Sequence, residues 1–331
     1  MARVLSGMRP TGQLHLGHLV GALANWKSLQ DRYECFFMVA DWHALMGEYE
    51  RPQLIRQWSY ENVIDWLAAG IDPKRSVIFR QSDVPEHAEL FTLLAILTPL
   101  GWVERVPTYK EQLREIEGRD LATYGFLGYP VLQAADILLY KADAVPVGED
   151  QLPHLELTRE IVRRVHFLLK REIFPEPKSL LTEDSRLLGT DGRKMSKSYG
   201  NTINLSQDEQ SLRETVQKMF TDPTRIKMTD PGHPDKCNVC GYWKTFAPSQ
   251  AAAVWEECRT SKRGCAQNKR DLSGVVVEMT RPFREARAKL PSAQEKSRYA
   301  EIERILQDGK ERAQAVARET MAEVKAAFGL S

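Results

Sequence analysis

The first 150 residues alternate between two kinds of apolar pattern, and that alternation leaves the chain few folds to choose from. The apolar runs RVLSG (3–7), ECFFMVAD (34–41), SVIFRQS (76–82) and DAVPVGED (143–150) read as buried strands. Between them, residues 17–30, 52–69, the segment after 86 and PVLQAADILLYKA (130–142) carry helical spacing. Strands and helices in alternation, joined by short connections, predict a parallel sheet covered on both faces: a doubly wound α/β domain. In such sheets ligands bind beyond the carboxyl ends of the strands.

Beyond about residue 204 the strand signal stops. DEQSLRETVQKMF, SQAAAVWEEC, SGVVVEMTRPFREARAKL and the last thirty or so residues all read as helices. A chain of 331 residues exceeds the roughly 250–300 at which single cores stop growing, so two domains are expected. The boundary is placed near 200, with an α/β domain over 1–200 and a helical one over 201–331. The longest apolar stretch, around 91–104, is broken by Pro99 and Gly101 and falls short of the ~20 residues a membrane span needs. The N-terminus lacks the apolar core of a signal peptide. Five cysteines in so large a chain do not make a disulfide scaffold, and the expected location is the cytoplasm. A net charge of +1 excludes a uniformly basic coat, but from Arg259 onward 16 Lys/Arg stand against 10 Asp/Glu, a local excess suited to nucleic acid.

Two stretches carry chemistry. In SGMRPTGQLHLGHLVGAL (6–23) a strand gives way to a Pro-Thr-Gly turn and a helix opening near Gly17. Free N–H groups at a helix start suit phosphate, and Gly17, lacking a Cβ, lets a flat ring lie on the backbone. His15 and His18 can donate to phosphate oxygens; they also read as a metal pair without further ligands, or as surface histidines. The second stretch, GRKMSKSYG (192–200), crowds Arg193, Lys194 and Lys197 between glycines, a concentration of positive charge that calls for an anion.

HLGH (15–18) followed by KMSKS (194–198), with the α/β pattern between, resembles the paired signatures of class I aminoacyl-tRNA synthetases. The resemblance runs through ADWHAL (40–45), ERVPTYKE (104–111), GYPVLQAADILLYKADAVPVGEDQLPHLELTREI (128–161) and GTDGRKMSKSYGN (189–201), and it is closest to the bacterial tryptophanyl type, with the tyrosyl type next. It implies a Rossmann-like catalytic domain and a C-terminal helical domain that reads the anticodon. ATP and Mg²⁺, L-tryptophan and tRNA(Trp), and a homodimer are implied with it. The anion awaited by Lys194 and Lys197 is then the triphosphate, met as charge develops on pyrophosphate. Met195, Ser196 and Ser198 of the same loop, together with His15, Gly17 and His18, complete that site by resemblance. Gly148, Glu149 and Asp150 would meet the ribose and adenine. Arg9, Pro10 and Thr11 would lie by the nucleotide, with Leu187 as a backbone contact and Lys110 reaching phosphate. Asp136 would accept the indole N–H, Tyr129 and Gln151 would hold the polar end of the amino acid, Gln133 would lie beside it, and His43 and Leu5 would line the indole pocket.

Asp136 makes sense on its own chemistry too. It sits among Val131, Leu132, Ala135, Leu138 and Leu139, and an acid buried there requires a partner. Indole offers one donor and no acceptor. If the N–H were the sole partner, analogues without it would be rejected by ~10⁴–10⁵; the alternative is an ion pair with Lys141 or Arg80. Two other classes remain open: a nucleotidylyltransferase of the same fold, and a non-catalytic RNA-binding relative. Finally, Cys237, Cys240, Cys258 and Cys265 form C-x₂-C-x₁₇-C-x₆-C. Some members of the resembled family carry a four-cysteine iron–sulfur site here with its close pair at the C-terminal end, where this chain has Asn268. Four thiolates suit a [4Fe–4S] cluster or, alternatively, Zn²⁺.

Overall fold

The computed structural model of the chain describes residues 1–107, 123–181, 187–290 and 296–330, with the backbone alone at Ser198 and at 296–298. Lys110 and the second half of the ERVPTYKE stretch, 108–111, lie outside the described residues. Five strands, β1 (Arg3–Met8), β2 (Glu34–Val39), β3 (Ser76–Arg80), β4 (Ala144–Val147) and β5 (Lys178–Leu181), form one sheet in the order β3-β2-β1-β4-β5. Every pairing is parallel, with Leu5 opposite Phe36 and Val4 opposite Ala144. The central strands are buried on both faces, which is why CFFMV reads as an unbroken apolar run after Glu34. Chain order reverses at β1, so the switch point lies between the ends of β1 and β4. β5 has no counterpart among the sequence expectations. Its four residues KSLL are only partly buried, and it owes its strand form to pairing with β4.

Contacts divide the chain into two compact units: Met1–Thr11, Asn25–Glu183 and Ser292–Ser331 in the first, Gly12–Ala24 and Asp184–Pro291 in the second. This differs from a single cut at 200. The terminal helix, Lys296–Phe328, belongs with the sheet. Leu306, Ala313, Ala317, Met321 and Val324 line its buried stripe. Arg312 donates to the Pro73 and Ser76 carbonyls beside the start of β3 (3.0 and 3.3 Å). Arg318 and Lys325 reach Glu86 and Glu89. Three cations of this helix therefore serve the sheet unit. Residues 292–331 hold seven Lys/Arg and seven Asp/Glu, whereas 259–291 hold nine against three. The whole C-terminal basic excess thus lies in the second unit.

That second unit is helical, as expected. Helix Glu209–Gln217, capped by Asp208 through the Ser211 N–H (2.7 Å), packs on the Cys265–Lys289 helix around Leu212, Val216, Leu272 and Val276. Helices Asn238–Phe246 and Pro248–Arg259 complete it, with Trp243 Nε1 donating to Asn268 Oδ1 at 2.8 Å. Among the described residues no helix is long and apolar enough to cross a membrane.

Candidate active site

Helix Tyr124–Leu139 carries Tyr129, Gln133 and Asp136 at spacings of four and three, with Tyr140 four further on, so all four share one helical face. Asp136 is 2% exposed. It does not pair with Lys141, which binds Glu323, nor with Arg80, which binds Asp83 and Glu303 at 2.8 and 2.6 Å. Three other donors surround it. Gln81 Nε2 and His87 Nδ1 meet Oδ1 at 2.8 and 2.7 Å, and His43 Nε2 meets Oδ2 at 2.8 Å. The fold explains how they converge. His43 follows the end of β2 and Gln81 the end of β3, so parallel strands deliver both to the same edge, and His87 opens the Glu86–Leu97 helix just beyond. Burial alone pushes the Asp136 pKa up, but the hydrogen bonds from His43 and His87 outweigh it and hold the group below the usual carboxylate value.

This corrects one expectation. Asp136 is partnered without any ligand, so an analogue lacking the indole N–H does not leave it bare, and rejection by four or five orders of magnitude does not follow. An ionised carboxylate offers about four acceptor positions. Two on Oδ1 and one on Oδ2 are taken, which leaves one on Oδ2.

Near the other end of this helical face, the Tyr129 hydroxyl bonds His154 Nε2 at 2.7 Å, and the His43 and Tyr129 rings meet edge-on at 6.5 Å. Burial pulls the His154 pKa down to about 4, despite Asp150. Leu5, 3% exposed in β1, belongs to the same core. Gln133 is half-buried. The Gln151 side-chain N–H goes to Asp150 Oδ2 at 3.0 Å. Gly148 ends β4 and Glu149–Gln151 form a tight turn, leaving the Glu149 and Asp150 side chains exposed; a Cβ on Gly148 would come within 2.7 Å of Asp150 Oδ1. Arg9 and Thr11 stand past β1 on either side of buried Pro10, with Thr11 N donating to the Arg9 carbonyl. His87, Gln81, Tyr140 and His154 were missed by sequence reasoning. A histidine or glutamine one or more residues past a strand end is the only local signal they carry.

The second unit brings the two quoted motifs together. Residues 14–16 pair with 203–205, through Leu16 N to Ile203 O (2.8 Å) and Leu205 N to Leu14 O (2.9 Å), so HLGH is tied to the chain just after KMSKS. The helix starts at Leu16–His18 and continues through a π-helical turn, Leu19–Leu23. A Cβ on Gly17 would press on the His15 ring at 3.2 Å and reach the sulfur of buried Met195 at 3.8 Å. The cationic loop forms a short hairpin: Leu188 bridges Lys194, Met195 N meets the Leu187 carbonyl, and Gly192 turns with φ of 82°. Buried Asn201 closes it, accepting from Ser196 N and donating to Asp191 and the Lys194 carbonyl.

Arg193 pairs with Asp191 and lies over the Tyr199 ring. Of the other two cations, Lys194 is exposed and Lys197 Nζ meets the Gly12 carbonyl at 3.0 Å. Burial, then Lys197, lowers the His15 pKa to about 4, and burial, then His15 and Lys197, pulls His18 well below its ordinary value. Both rings are therefore neutral near pH 7, and His18 Nδ1 accepts from the His15 N–H at 3.2 Å.

The four cysteines also lie in this unit, three of them buried. The Cys237 thiol is lowered to about 6 by its hydrogen bond with Cys240, whose own thiol is raised by that bond and by burial. Cys240 Sγ also accepts from Asn268 Nδ2 at 3.5 Å, and Cys258 Sγ faces Arg225 at 3.9 Å. Among the described residues no three His, Cys, Asp or Glu side chains are arranged to hold a metal ion. The expected four-thiolate metal centre is therefore not met by this geometry.

The sequence pattern of the family described as tRNA synthetases class I (W and Y) matches residues 1–281. A tryptophan–tRNA ligase from Thermotoga maritima is 49% identical over 331 residues, covering 99% of this chain and 99% of that protein. One from Ralstonia nicotianae is 43% identical over 402 aligned residues, covering 99% and 98%. The crystal structure of tryptophanyl-tRNA synthetase from Campylobacter jejuni complexed with ADP and tryptophane has a TM-score of 0.86 at 33% identity, covering 99% of this chain and 100% of that one.

Proposed function

The chain belongs to the class I tRNA synthetases of the tryptophan and tyrosine type, and from that premise we propose how its residues divide the work. The reaction is ATP-dependent activation of L-tryptophan to tryptophanyl-adenylate, followed by transfer of the acyl group to tRNA(Trp). The tryptophan carboxylate attacks the α-phosphorus, the bond to the bridging oxygen breaks, and pyrophosphate leaves with the charge.

Asp136 selects the amino acid. The single observation that carries this is the one acceptor position left on Oδ2, which suits a side chain with one N–H and no acceptor. Tyrosine, whose hydroxyl both donates and accepts, matches it less well. Tyr129 meets the ammonium group: with its O–H turned to His154, its oxygen accepts. Gln133 and Gln151 lie by the amino acid's polar end, while His43 and Leu5 bound the indole. Gly148, Glu149 and Asp150 take the ribose and adenine, with Arg9, Pro10 and Thr11 beside the nucleotide. In the other unit His15 and His18 donate as neutral rings, and Lys194 and Lys197 stabilise the leaving pyrophosphate. Mg²⁺ would neutralise triphosphate charge while carried mainly by the phosphates, as it commonly is. Replacing Asp136 by Ala tests the assignment. Pyrophosphate exchange with tryptophan falls and its advantage over phenylalanine narrows; an unchanged ratio would leave Asp136 a structural group.

The helices of the second unit are proposed to read the anticodon, supported by nine Lys/Arg against three Asp/Glu in 259–291. A twofold dimer is the commonest assembly and is proposed here on the exposed Ile96, Leu100 and Tyr124, 72%, 59% and 81% accessible; sedimentation of Ile96→Asp tests it. A thiolate-held iron–sulfur or zinc centre at the four cysteines rests on the donor chemistry alone, and no step passes through it. Iron, sulfide and zinc analysis of anaerobically purified protein tests that reading.

A further inference from the structure

His87 is fully buried, with both ring nitrogens engaged: Nδ1 with Asp136 Oδ1 and Nε2 with the Tyr140 hydroxyl, each at 2.7 Å. Hydrogen-bond logic gives the chain a direction. An ionised carboxylate only accepts, so Nδ1 carries the proton; Nε2 of the neutral ring then accepts, and the Tyr140 O–H donates. Were the ring charged, Tyr140 would face a second donor and its own buried O–H would point at nothing. Gln81 adds a second N–H to the same oxygen, and its amide orientation is set too, because a flipped amide would turn oxygen against oxygen.

We propose that His87 is the positioning residue for tryptophan selection: held by Tyr140 in its Nδ1–H form, it fastens Asp136 Oδ1 and so aims the remaining acceptor position of Oδ2 at the indole N–H. The inference rests on Asp136 being the indole acceptor. His43 cannot do this work alone, since it binds the very oxygen that must also receive the ligand. Without His87, Asp136 keeps one donor per oxygen and is free to rotate its carboxylate. The ionisable groups around the pair are His43 on the Asp41–Glu48 helix, Tyr140 after the Tyr124–Leu139 helix, and Glu86. The last is held by Gln314 and Arg318 of the terminal helix.

The test uses pyrophosphate exchange by the full chain between pH 5 and 8, with tryptophan and with 3-(benzothiophen-3-yl)alanine, which replaces the N–H by sulfur. In His87→Leu, kcat/KM for tryptophan falls by about tenfold or more, mainly through KM, as for loss of a hydrogen bond to a charged group. The benzothienyl analogue loses much less. His87→Asn, whose amide N–H stands near the place of Nδ1–H, recovers most of the loss. Should His87→Leu not fold, Tyr140→Phe removes a single oxygen and is expected to cost tryptophan alone a severalfold rise in KM. Equal losses for the two substrates would overturn the proposal. The parent enzyme separates the two levels. If it does not prefer tryptophan to the analogue, Asp136 is not the acceptor; if it does and His87→Leu keeps the preference, only the role of His87 falls.

Discussion

Gly309 lies inside the 33-residue terminal helix, where glycine ordinarily costs stability. Replacing an interior helical glycine by alanine normally gains about 0.4–1 kcal/mol, through intrinsic propensity and a less flexible unfolded chain. The structure reverses that sign. The helix crosses β3 at this point, and a Cβ on Gly309 would fall inside the van der Waals envelope of the Ile78 carbonyl oxygen, 2.5 Å from its carbon and 3.1 Å from its nitrogen. These are backbone atoms in the sheet and cannot rotate away. The helix must instead retreat by about 1 Å or more, loosening the contacts of Leu306 and Ala313 on either side, both fully buried. Overpacking of this kind typically costs 1–3 kcal/mol, which exceeds the propensity gain. Gly309→Ala is therefore destabilising by about 1–2 kcal/mol net. Urea unfolding followed by circular dichroism measures it. Because β3 leads to Gln81 and hence to Asp136, the KM for tryptophan should rise as well. A variant as stable as the parent or more so would refute the close approach of helix and strand.

Two further outcomes follow from the sites. Lys197→Ala lowers kcat far more than it raises KM for ATP, by an amount typical of one oriented transition-state donor, about 2.7–4 kcal/mol, read in pyrophosphate exchange; activation at the parent rate would remove Lys197 from the chemistry. His154 couples stability to pH. Its folded pKa of about 4, set by burial, lies below the unfolded value near 6.5, so the unfolded chain binds more protons between these values and stability falls as pH drops through that window. The difference corresponds to about 3 kcal/mol. His154→Gln should flatten the decline of the urea midpoint between pH 7 and 4.5, and an unaltered decline would mean that His154 is not held neutral.

Local pattern carried much of the architecture. In ECFFMV every position after Glu34 is apolar because a central parallel strand is covered on both faces, and that requirement is visible in five residues without knowing the neighbours. KSLL carries no such mark: an edge strand needs only a partner's backbone, and its side chains reveal little. The HLGH and KMSKS motifs were legible because each packs its chemistry into a few consecutive residues. Asp136 was legible as an acid on an apolar helix, but its partners were not. His43, Gln81 and His87 are dispersed over 45 residues, and nothing in their local sequence says which strand ends they follow into the same corner.

The sequence by itself determined a parallel α/β sheet, a helical remainder and the two short motifs HLGH and KMSKS, because periodicity and short motifs are properties of neighbouring residues. It also determined that the terminal segment is an amphipathic helix. What that helix covers was decided only by the tertiary structure. A stripe of Leu306, Ala313, Ala317 and Val324 demands burial but names no partner, and the choice of β3 rests on the space left at Gly309 and on Arg312 meeting the carbonyls at the strand's start. The same choice withdrew the terminal helix from the basic surface and left the charge excess to residues 259–291. The acceptor position on Asp136 was settled in the same way, since a carboxylate's vacancy is defined by donors that only the folded sheet assembles.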